Sequence, residues 1–263
     1  MAFRPGAGSW WGATRYRPTL MDTRLSGAIL CGGRSRRMGR DKVWLNLGGS
    51  NLLDHAIERL RTVADPVILA GGSRPIERPH CLSVLDPVPD RGPLGGVVAA
   101  LRCSPQRLCA VVAVDMPDLS PTLLVSLAEM WQGEDAVVPL SREGPEPLHA
   151  VWCGSALAAV EPALRGGDLS LQGLLARIRV RTVDAALLGG VDPGFRFAVN
   201  LNTPADVERW RAAPRQDTNR RTHRPLAPAG ERSRPRARRD VRGMALGGDP
   251  DAEQTLGWAG DER

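Results

Sequence analysis

One lysine stands out in this 263-residue sequence, because the other 34 positions occupied by lysine or arginine are all arginine. Lys42 follows the segment 32–41, which holds three glycines and four arginines. Glycines let a backbone turn sharply and bring its N–H groups close to a ligand, and a lysine ammonium is a compact charge on a flexible stem. The four arginines repel one another unless an anion lies among them. The segment therefore predicts a loop that binds a triphosphate, the alternative being a lysine retained on a solvated surface.

This loop matches neither of the two common phosphate-binding motifs. A Walker A loop has Ser or Thr directly after its lysine, whereas Val43 follows Lys42. The dinucleotide-binding fingerprint has a different glycine spacing from that of Gly32, Gly33 and Gly39. The sequence therefore indicates a phosphate loop of another class.

Two aspartates follow short apolar runs that are typical of buried strands. Asp115 comes directly after the run 111–114, and Asp86 comes directly after 82–85. Ligands of open α/β sheets bind outside the carboxyl ends of the strands, so we expect both carboxylates in the ligand crevice. Magnesium is usually held by one or two carboxylates together with substrate phosphates, a role that suits Asp115. The alternative for Asp115 is a turn residue before Pro117.

Two further segments carry groups that suit a nucleotide or a second substrate. The glycine-rich turn 92–96 opens a predicted helix and lets the backbone approach a flat base or a ribose. Asn200 and Asn202 are two positions apart, hence on one side of an extended segment, where their amides can bind a substrate. The alternative is that this segment only leads into an ordinary helix start at Thr203-Pro204.

The elements that position these residues are predicted from alternating apolar runs and amphipathic segments in the middle of the chain. The predicted strands are 26–31, 66–70, 82–85 and 109–114. The predicted helices are 51–62, 94–102, 121–131, 155–164 and 204–211. Ser50 or Asn51, and Ser120, are placed to cap two of these helices. The alternation predicts an α/β fold, a single Rossmann-like domain with a mostly parallel sheet and helices on both faces.

Charge divides the chain into three parts. Residues 1–24 and 214–263 each carry a net charge of +3, whereas residues 25–213 are neutral, so the sequence pI of 9.7 is a property of the two ends. We expect one folded domain at 25–213, a disordered extension at 1–24 and a disordered Arg/Pro/Gly-rich tail at 214–263. The neutral middle does not favour nucleic-acid binding, which requires a basic face on the folded domain itself.

The cysteines and the hydropathy pattern indicate a reducing, aqueous compartment. Five cysteines, with no C-x-x-C pair and no histidine cluster, argue against a disulfide framework and against a structural zinc site. No apolar run approaches the ~18–20 residues that span a bilayer, and the N-terminal segment lacks the apolar stretch of a signal peptide. We therefore expect a cytoplasmic protein with no membrane partner.

Four motifs together resemble those of the molybdenum cofactor guanylyltransferases, over about residues 25–212. The motifs are the loop Ile29–Lys42 with its R-M-G-x-D-K ending, the turn 92–96, Asp115-Met116-Pro117 and Asn200-Leu201-Asn202-Thr203-Pro204. They occur in the order that the family shows. Sugar-phosphate nucleotidyltransferases share the fold, but their usual G-x-G-T-R-L loop and later Pro-Lys are missing from this sequence.

This resemblance implies an enzyme that joins GMP from GTP to the terminal phosphate of molybdenum-bound molybdopterin and releases pyrophosphate, with Mg²⁺ as cofactor. It implies nucleotide contacts from loop and strand-end residues, namely Leu30, Cys31, Gly32, Gly33, Gly39, Lys42, Asp86 and Asp115. It also implies that Lys42, Arg37 and Asp115 act in catalysis, Asp115 as the metal ligand. Asn200 and Asn202 are implied to face the pterin. Protein partners in molybdoenzyme maturation are a further implication of the resemblance.

The choice of base stays open at this point. Some members of the family have an asparagine that contacts the nucleotide where this sequence has Ala70-Gly71-Gly72. One alternative is therefore a sister enzyme of the same fold, either a molybdopterin cytidylyltransferase or a phospholactate guanylyltransferase. Another, of a different class, is a non-catalytic protein that binds RNA or a protein partner through its basic tail.

Overall fold

A computed structural model describes residues 24–32, 42–88, 92–166, 170–184, 192 and 194–213. Within them, eight strands form one sheet. The strands are β1 (Leu25–Leu30), β2 (Val67–Ala70), β3 (Cys81–Val84), β4 (Leu108–Ala113), β5 (Ala136–Ser141), β6 (Gly144–Pro145), β7 (His149–Cys153) and β8 (Val180–Asp184). The predictions made for 214–263 and, apart from Arg24, for 1–24 lie outside the described residues.

The sheet has the order β3-β2-β1-β4-β7-β5-β6, and β8 pairs with β5. Strands β1 to β4 are mutually parallel, β7 is antiparallel to β4 and β5, and β8 is parallel to β5. In the centre, Ile29 of β1 is level with Leu69 of β2 and with Val112 of β4. Because parallel strands end at the same edge, the residues that follow β1, β2, β3 and β4 surround one crevice.

Helices cover both faces of this sheet, as predicted. They are α1 (Leu52–Leu60), α2 (Pro93–Cys103), α3 (Pro121–Glu129), α4 (Leu157–Gly166), α5 (Leu171–Leu175) and α6 (Pro204–Ala212). Helices α1, α3 and α6 share a core with Ile29 and Val112, whereas α2, α4 and α5 share a core with Ala28 and Val111. Neighbouring strand residues thus point to opposite faces, and both faces are apolar, which explains the unbroken apolar runs.

Polar side chains fix the starts of four helices, and at α5 the residue is Ser170, which accepts from the backbone N of Gly173. Asn51 accepts a hydrogen bond from the backbone N of Asp54 and so caps α1, and Ser120 caps α3 in the same way through Leu123. At α6, Thr203 and Asp206 form a reciprocal capping box. Each cap satisfies a backbone N–H that the first helical turn leaves without a partner.

The half of the sheet that follows β4 departs most from the prediction. Alternating strands and helices predicted parallel neighbours, but β7 lies antiparallel between β4 and β5. The chain reverses after β5 through Gly144, whose φ of +122° favours glycine. Pro139 and Pro145 interrupt the strand pattern of β5 and β6, which made these two elements hard to recognise.

Two large side chains of β7 lie in the core. Trp152 and His149 on β7 are both fully buried. Burial lowers the pKa of His149 to about 3, so the ring is neutral near pH 7, and its Nε2 accepts from Ser120 N at 3.4 Å. The five cysteines form no disulfide, as their spacing predicted. In the part of the chain that is described, none of the helices combines the length and apolarity that crossing a membrane requires.

Candidate active site

The first residues after β1 form hydrogen bonds with the last residue of the neighbouring strand β2. The backbone N atoms of Cys31 and Gly32 both donate to the carbonyl of Ala70, at 3.0 and 3.1 Å, and Cys31 Sγ donates to the same oxygen at 3.4 Å. A Cβ atom on Gly32 would lie 2.7 Å from the backbone N of Gly72, so only glycine fits there. The two amides that open the loop are therefore used within the protein.

The predicted site residues Gly33, Arg37 and Gly39 lie outside the described residues. Leu30 is buried, and its carbonyl accepts from Val114 N at 3.1 Å. Leu30 thus lies at the carboxyl end of β1, and its contact with a nucleotide stays a prediction.

Lys42 joins three parts of the chain that are far apart in sequence. Its Nζ donates to Asp115 Oδ2 at 3.0 Å and to Asn202 Oδ1 at 2.6 Å. The side chains of Lys42 and Asp115 are only 16% and 21% exposed, respectively. Lys42 opens a short 3-10 helix, Lys42–Trp44, which the buried side chain of Val43 anchors in the core. The arrangement places one ammonium, one carboxylate and one amide at the carboxyl ends of β1 and β4.

The two predicted asparagines have different surroundings. Asn202 contacts Lys42, whereas Asn200 is exposed and its Nδ2 donates to the carbonyl of Ala198 at 3.1 Å. Between them, Leu201 is fully buried, and its N donates to the carbonyl of Asp115 at 2.9 Å. The structure therefore brings Asn202 into the cluster directly and holds Asn200 beside it.

Asp86 is a polar residue separate from the Lys42 cluster, and it follows β3 at the carboxyl ends of the parallel strands. Its backbone N donates to the carbonyl of Gly72 at 2.8 Å, and its buried Oδ1 has no hydrogen-bond partner among the described residues. Burial raises the pKa of the Asp86 carboxyl above its ordinary value. A Cβ on Gly95 would lie 2.8 Å from Asp86 Oδ2, so this glycine of the turn 92–96 makes room for the carboxylate. This buried oxygen can accept a hydrogen bond from a donor on a ligand.

The loop between β2 and β3 has glycines at the positions where the resemblance implies an asparagine in some members of the family. Gly72 has a φ of +72°, which favours glycine, and a Cβ on Gly71 would clash with the carbonyl of Arg74. An asparagine at either position would therefore force this loop to move.

Comparison with known proteins decides the family. The model of the MobA-like NTP transferase domain matches residues 27–183. The chain belongs to this family. It is accordingly a nucleotidyltransferase related to enzymes of molybdenum cofactor biosynthesis, and the predicted resemblance is confirmed.

Curated relatives agree with the family match over most of their own length. The chain is 34% identical to a probable molybdenum cofactor guanylyltransferase of Methanosarcina acetivorans, over 75% of this chain and 94% of the relative. It is 31% identical to the molybdenum cofactor guanylyltransferase of Syntrophotalea carbinolica, over 71% of this chain and 90% of that one.

Solved structures support the same assignment. Molybdopterin-guanine dinucleotide biosynthesis protein A from Archaeoglobus fulgidus superposes with a TM-score of 0.61 at 28% identity, covering 70% of this chain and 95% of that one. The 2-C-methyl-D-erythritol 4-phosphate cytidylyltransferase of Thermus thermophilus has a TM-score of 0.52 at 20% identity, covering 72% and 98%, which shows a shared fold.

The sequence interpretation missed how the family's aspartate loop is held in place here. This loop, residues 114–120, accepts hydrogen bonds from α1, where His55 Nε2 binds the carbonyl of Pro117 at 2.9 Å and Arg59 Nε binds that of Leu119 at 2.8 Å. Burial lowers the pKa of His55, which favours the neutral ring. Both residues stand on one side of α1, four positions apart, and this spacing is the signal that could have paired them.

The oxygen atoms around Lys42 suit a hard cation. Asp115 Oδ2 and Asn202 Oδ1 already hold one positive charge between them, that of the ammonium. Among the described residues no cluster of three or more acidic, histidine or cysteine side chains gathers at one point. A single carboxylate is enough for magnesium when substrate phosphates supply further ligands. The donor set therefore fits a metal that arrives together with a nucleotide.

Proposed function

We propose that this protein transfers GMP from GTP to the terminal phosphate of molybdenum-bound molybdopterin, forming molybdopterin guanine dinucleotide and pyrophosphate. The main support is the contact of Lys42 with both Asp115 and Asn202, which unites the end of the phosphate loop, the aspartate after β4 and the segment implied to face the pterin. The names of the curated relatives favour the same reaction.

The reaction brings two anions together. An oxygen of the acceptor phosphate attacks the α-phosphorus of GTP, the bond from that phosphorus to the bridging oxygen breaks, and pyrophosphate leaves with the electron pair. Such a transfer needs positioning and charge stabilisation more than covalent help from the protein. Lys42 suits this task because its flexible stem can carry the ammonium from Asp115 and Asn202 to the phosphate oxygens.

Asp115 would hold Mg²⁺, and Asn202 Oδ1 is a further oxygen that could bind it. When bound, the metal neutralises charge on the triphosphate and on the leaving pyrophosphate. Arg37, Gly33 and Gly39, together with Lys42, would line the phosphates. Asn202 and Asn200 would then contact the acceptor.

The nucleoside end would lie at the carboxyl ends of β2 and β3. Asp86 Oδ1 has no hydrogen-bond partner within the described part of the chain, and nucleosides carry N–H and O–H donors that can satisfy it. Gly71 and Gly72 would approach the nucleoside with backbone only. Discrimination between guanine and cytosine must then rest on backbone groups and on Asp86, which is why a cytidylyltransferase is the second candidate.

A substrate panel tests the proposal. The full-length protein is incubated with molybdenum-bound molybdopterin, Mg²⁺ and each nucleoside triphosphate in turn, and pyrophosphate release is measured. We expect release with GTP and little with CTP, ATP or UTP, and none without the acceptor. Preferential use of CTP would move the protein to the cytidylyl class, and phospholactate is included as an alternative acceptor. Asp115→Asn serves as the inactive control.

Binding assays separate the enzyme from a non-catalytic RNA-binding protein. The isolated segment 214–263 is titrated with RNA at several salt concentrations, in parallel with GTP binding by the full chain. We expect tight GTP binding by the chain and only weak, salt-sensitive RNA binding by the basic segment.

A further inference from the structure

Residues 195–202, here called the strip, carry both asparagines implied in acceptor binding. The strip contains the short 3-10 helix Arg196–Ala198 and has no ladder to the sheet. Phe197 and Leu201 are fully buried. Phe195 adopts a left-handed φ of +53°, a conformation that persists in a phenylalanine only where the surroundings impose it. The position of the strip is therefore set by contacts other than a strand ladder, among them the hydrogen bond from Phe197 N to Asp192 Oδ2 at 2.6 Å.

Two contacts, one from the strip and one from α6, meet at a single carboxylate oxygen. Asp118 Oδ2 pairs with Arg196 Nη2 at 2.7 Å and accepts from Trp210 Nε1 at 2.9 Å. Arg196 lies at the start of the strip, and Trp210 lies on α6, the helix that begins directly after it. Asp118 thus holds the chain before and after Asn200 and Asn202.

The same oxygen belongs to the loop that carries Asp115. Asp118 is three residues beyond Asp115, and the Asp115 carbonyl accepts from Leu201 N at 2.9 Å. The side chains of Asp118 and Arg196 are 22% and 29% exposed, so their attraction is only partly screened by water. The positive charge of Arg59 on α1 also faces Asp118. The loop and the strip therefore contact each other directly at both aspartates, in addition to the bridge that Lys42 makes between Asp115 and Asn202.

We propose that Asp118 is a positioning residue that sets the distance between Asp115 and Asn202, and hence between the nucleotide half of the site and the acceptor half. Asp118 touches no reacting group. It acts through Arg196 and Trp210, which fix the strip, and through Leu201, which then meets Asp115. The inference about acceptor use rests on the proposed function, whereas the inference about the strip does not.

The test compares two aspartates of similar chemistry. Asp118→Asn keeps the shape and one acceptor oxygen but removes the charge that pairs with Arg196. Asp135→Asn is the matched control, because Asp135 also pairs with an arginine, Arg179, at 2.9 Å, at the opposite edge of the sheet from the crevice. Trp210→Phe removes a single donor and serves if Asp118→Asn does not fold.

The first readout is independent of activity. Amide hydrogen exchange at Leu201 is measured by NMR in each folded variant, with exchange in β1 as the reference. We expect exchange at Leu201 to become at least about tenfold faster in Asp118→Asn and in Trp210→Phe and to stay unchanged in Asp135→Asn. If the exchange rate at Leu201 is unchanged in both Asp118→Asn and Trp210→Phe, the proposal is overturned, whether or not the protein transfers GMP.

The second readout separates the two substrates. In Asp118→Asn we expect the KM for the acceptor to rise and the turnover to fall, which together lower kcat/KM for the acceptor about 10- to 100-fold. A displacement of the strip by about 1 Å has effects of this size. The affinity for GTP should stay within about twofold of wild type. Combining D118N with R196Q should cause little further loss, since both act through one contact. If kcat/KM for the acceptor and the affinity for GTP fall equally, or if Asp135→Asn causes the same loss, Asp118 only stabilises the fold and does not position the strip.

Discussion

The Lys42 ammonium lies where three parts of the proposed mechanism meet, namely the phosphate loop, the metal ligand and the acceptor segment. Lys42 holds Asp115 and Asn202 together, and these three side chains account for charge, metal binding and acceptor contact in the proposed reaction. Each group has a distinct chemical property, so substitutions that change only that property are the informative ones.

Lys42→Arg keeps the charge but should reduce kcat/KM about 100-fold. A planar guanidinium is larger than an ammonium and cannot occupy the same position between Asp115 and Asn202 without displacing the triphosphate. Initial rates with GTP and the acceptor measure the effect, and the melting temperature reports folding. Arg102→Lys, in an exposed pair with Glu161, is the matched control. Near-normal rates in Lys42→Arg would show that a positive charge alone suffices.

Asp115→Asn should abolish transfer at ordinary magnesium concentrations and regain part of it at high magnesium. Asparagine retains the shape and one oxygen but loses the charge that holds a hard cation. The rate is measured across a magnesium titration, with the melting temperature as the folding control. If Asp115 were only a turn residue, asparagine would serve equally well and the rates would match those of wild type.

Asp86 should show opposite effects on stability and on binding. Burial raises its pKa above 3.8, so the ionised carboxylate disfavours folding. This unfavourable effect is absent below the pKa that Asp86 has in the unfolded protein. It grows as the pH rises and is fully present above the pKa that Asp86 has in the folded protein. Asp86→Asn should therefore raise the melting temperature of the ligand-free protein at pH 7, by at most about 3 °C, and the difference should vanish as the pH falls toward 4.

The same substitution should weaken GTP binding about tenfold, because a charged acceptor is lost. Calorimetric titration with GTP at pH 7 measures the affinity. Unchanged affinity together with raised stability would mean that the Asp86 carboxylate has no part in nucleotide binding.

At the scale of elements, the start of α6 links stability to the acceptor side of the site. Asp206 Oδ2 accepts from the backbone N atoms of Asn202 and Thr203, at 2.9 and 2.7 Å, within the capping box. Several hydrogen bonds, the one from Arg209 first, lower the pKa of Asp206 to about 2. The helix cap therefore also holds the backbone of Asn202.

Thr203→Ala should lower stability by about 1 kcal/mol, which corresponds to roughly 2–4 °C in the melting temperature. It should also raise the KM for the acceptor and leave that for GTP unchanged, because Asn202 loses part of its support. Ser170→Ala removes the cap of α5 on the other face of the sheet and is the control. A KM for the acceptor that shifts equally in both variants would contradict a local effect.

Elements with a strong local pattern were predicted closely, and those that depend on distant partners were not. The predicted strand 26–31 is β1 (Leu25–Leu30), and Ser120 caps α3 as its position before Pro121 suggested. The direction of β7 depends on pairing with both β4 and β5, which no local pattern records. Asp115 and Asn202 could be proposed singly, but Lys42 and Asn202 are separated by 160 positions, so their contact appears only in the folded chain.

At the scale of the whole molecule, the proposed catalytic residues lie within residues 25–213, whereas the net positive charge belongs to the two ends. Truncation after Pro214 should therefore leave the turnover and the melting temperature nearly unchanged, because the removed segment has few residues able to join a core. Rates and thermal unfolding of the truncated and full chains are compared side by side. A loss of several degrees would show that the segment packs on the domain.

Following the α- and γ-phosphorus of GTP separately distinguishes transfer of GMP to the pterin from simple hydrolysis of GTP. The full-length protein is given molybdenum-bound molybdopterin and Mg²⁺ with GTP labelled either at the α- or at the γ-phosphorus. The account predicts that the α-label enters the pterin product in equal amount to the pyrophosphate that carries the γ-label, and that Asp115→Asn stops both. Release of the γ-label as inorganic phosphate, with no α-label on the pterin, would contradict it.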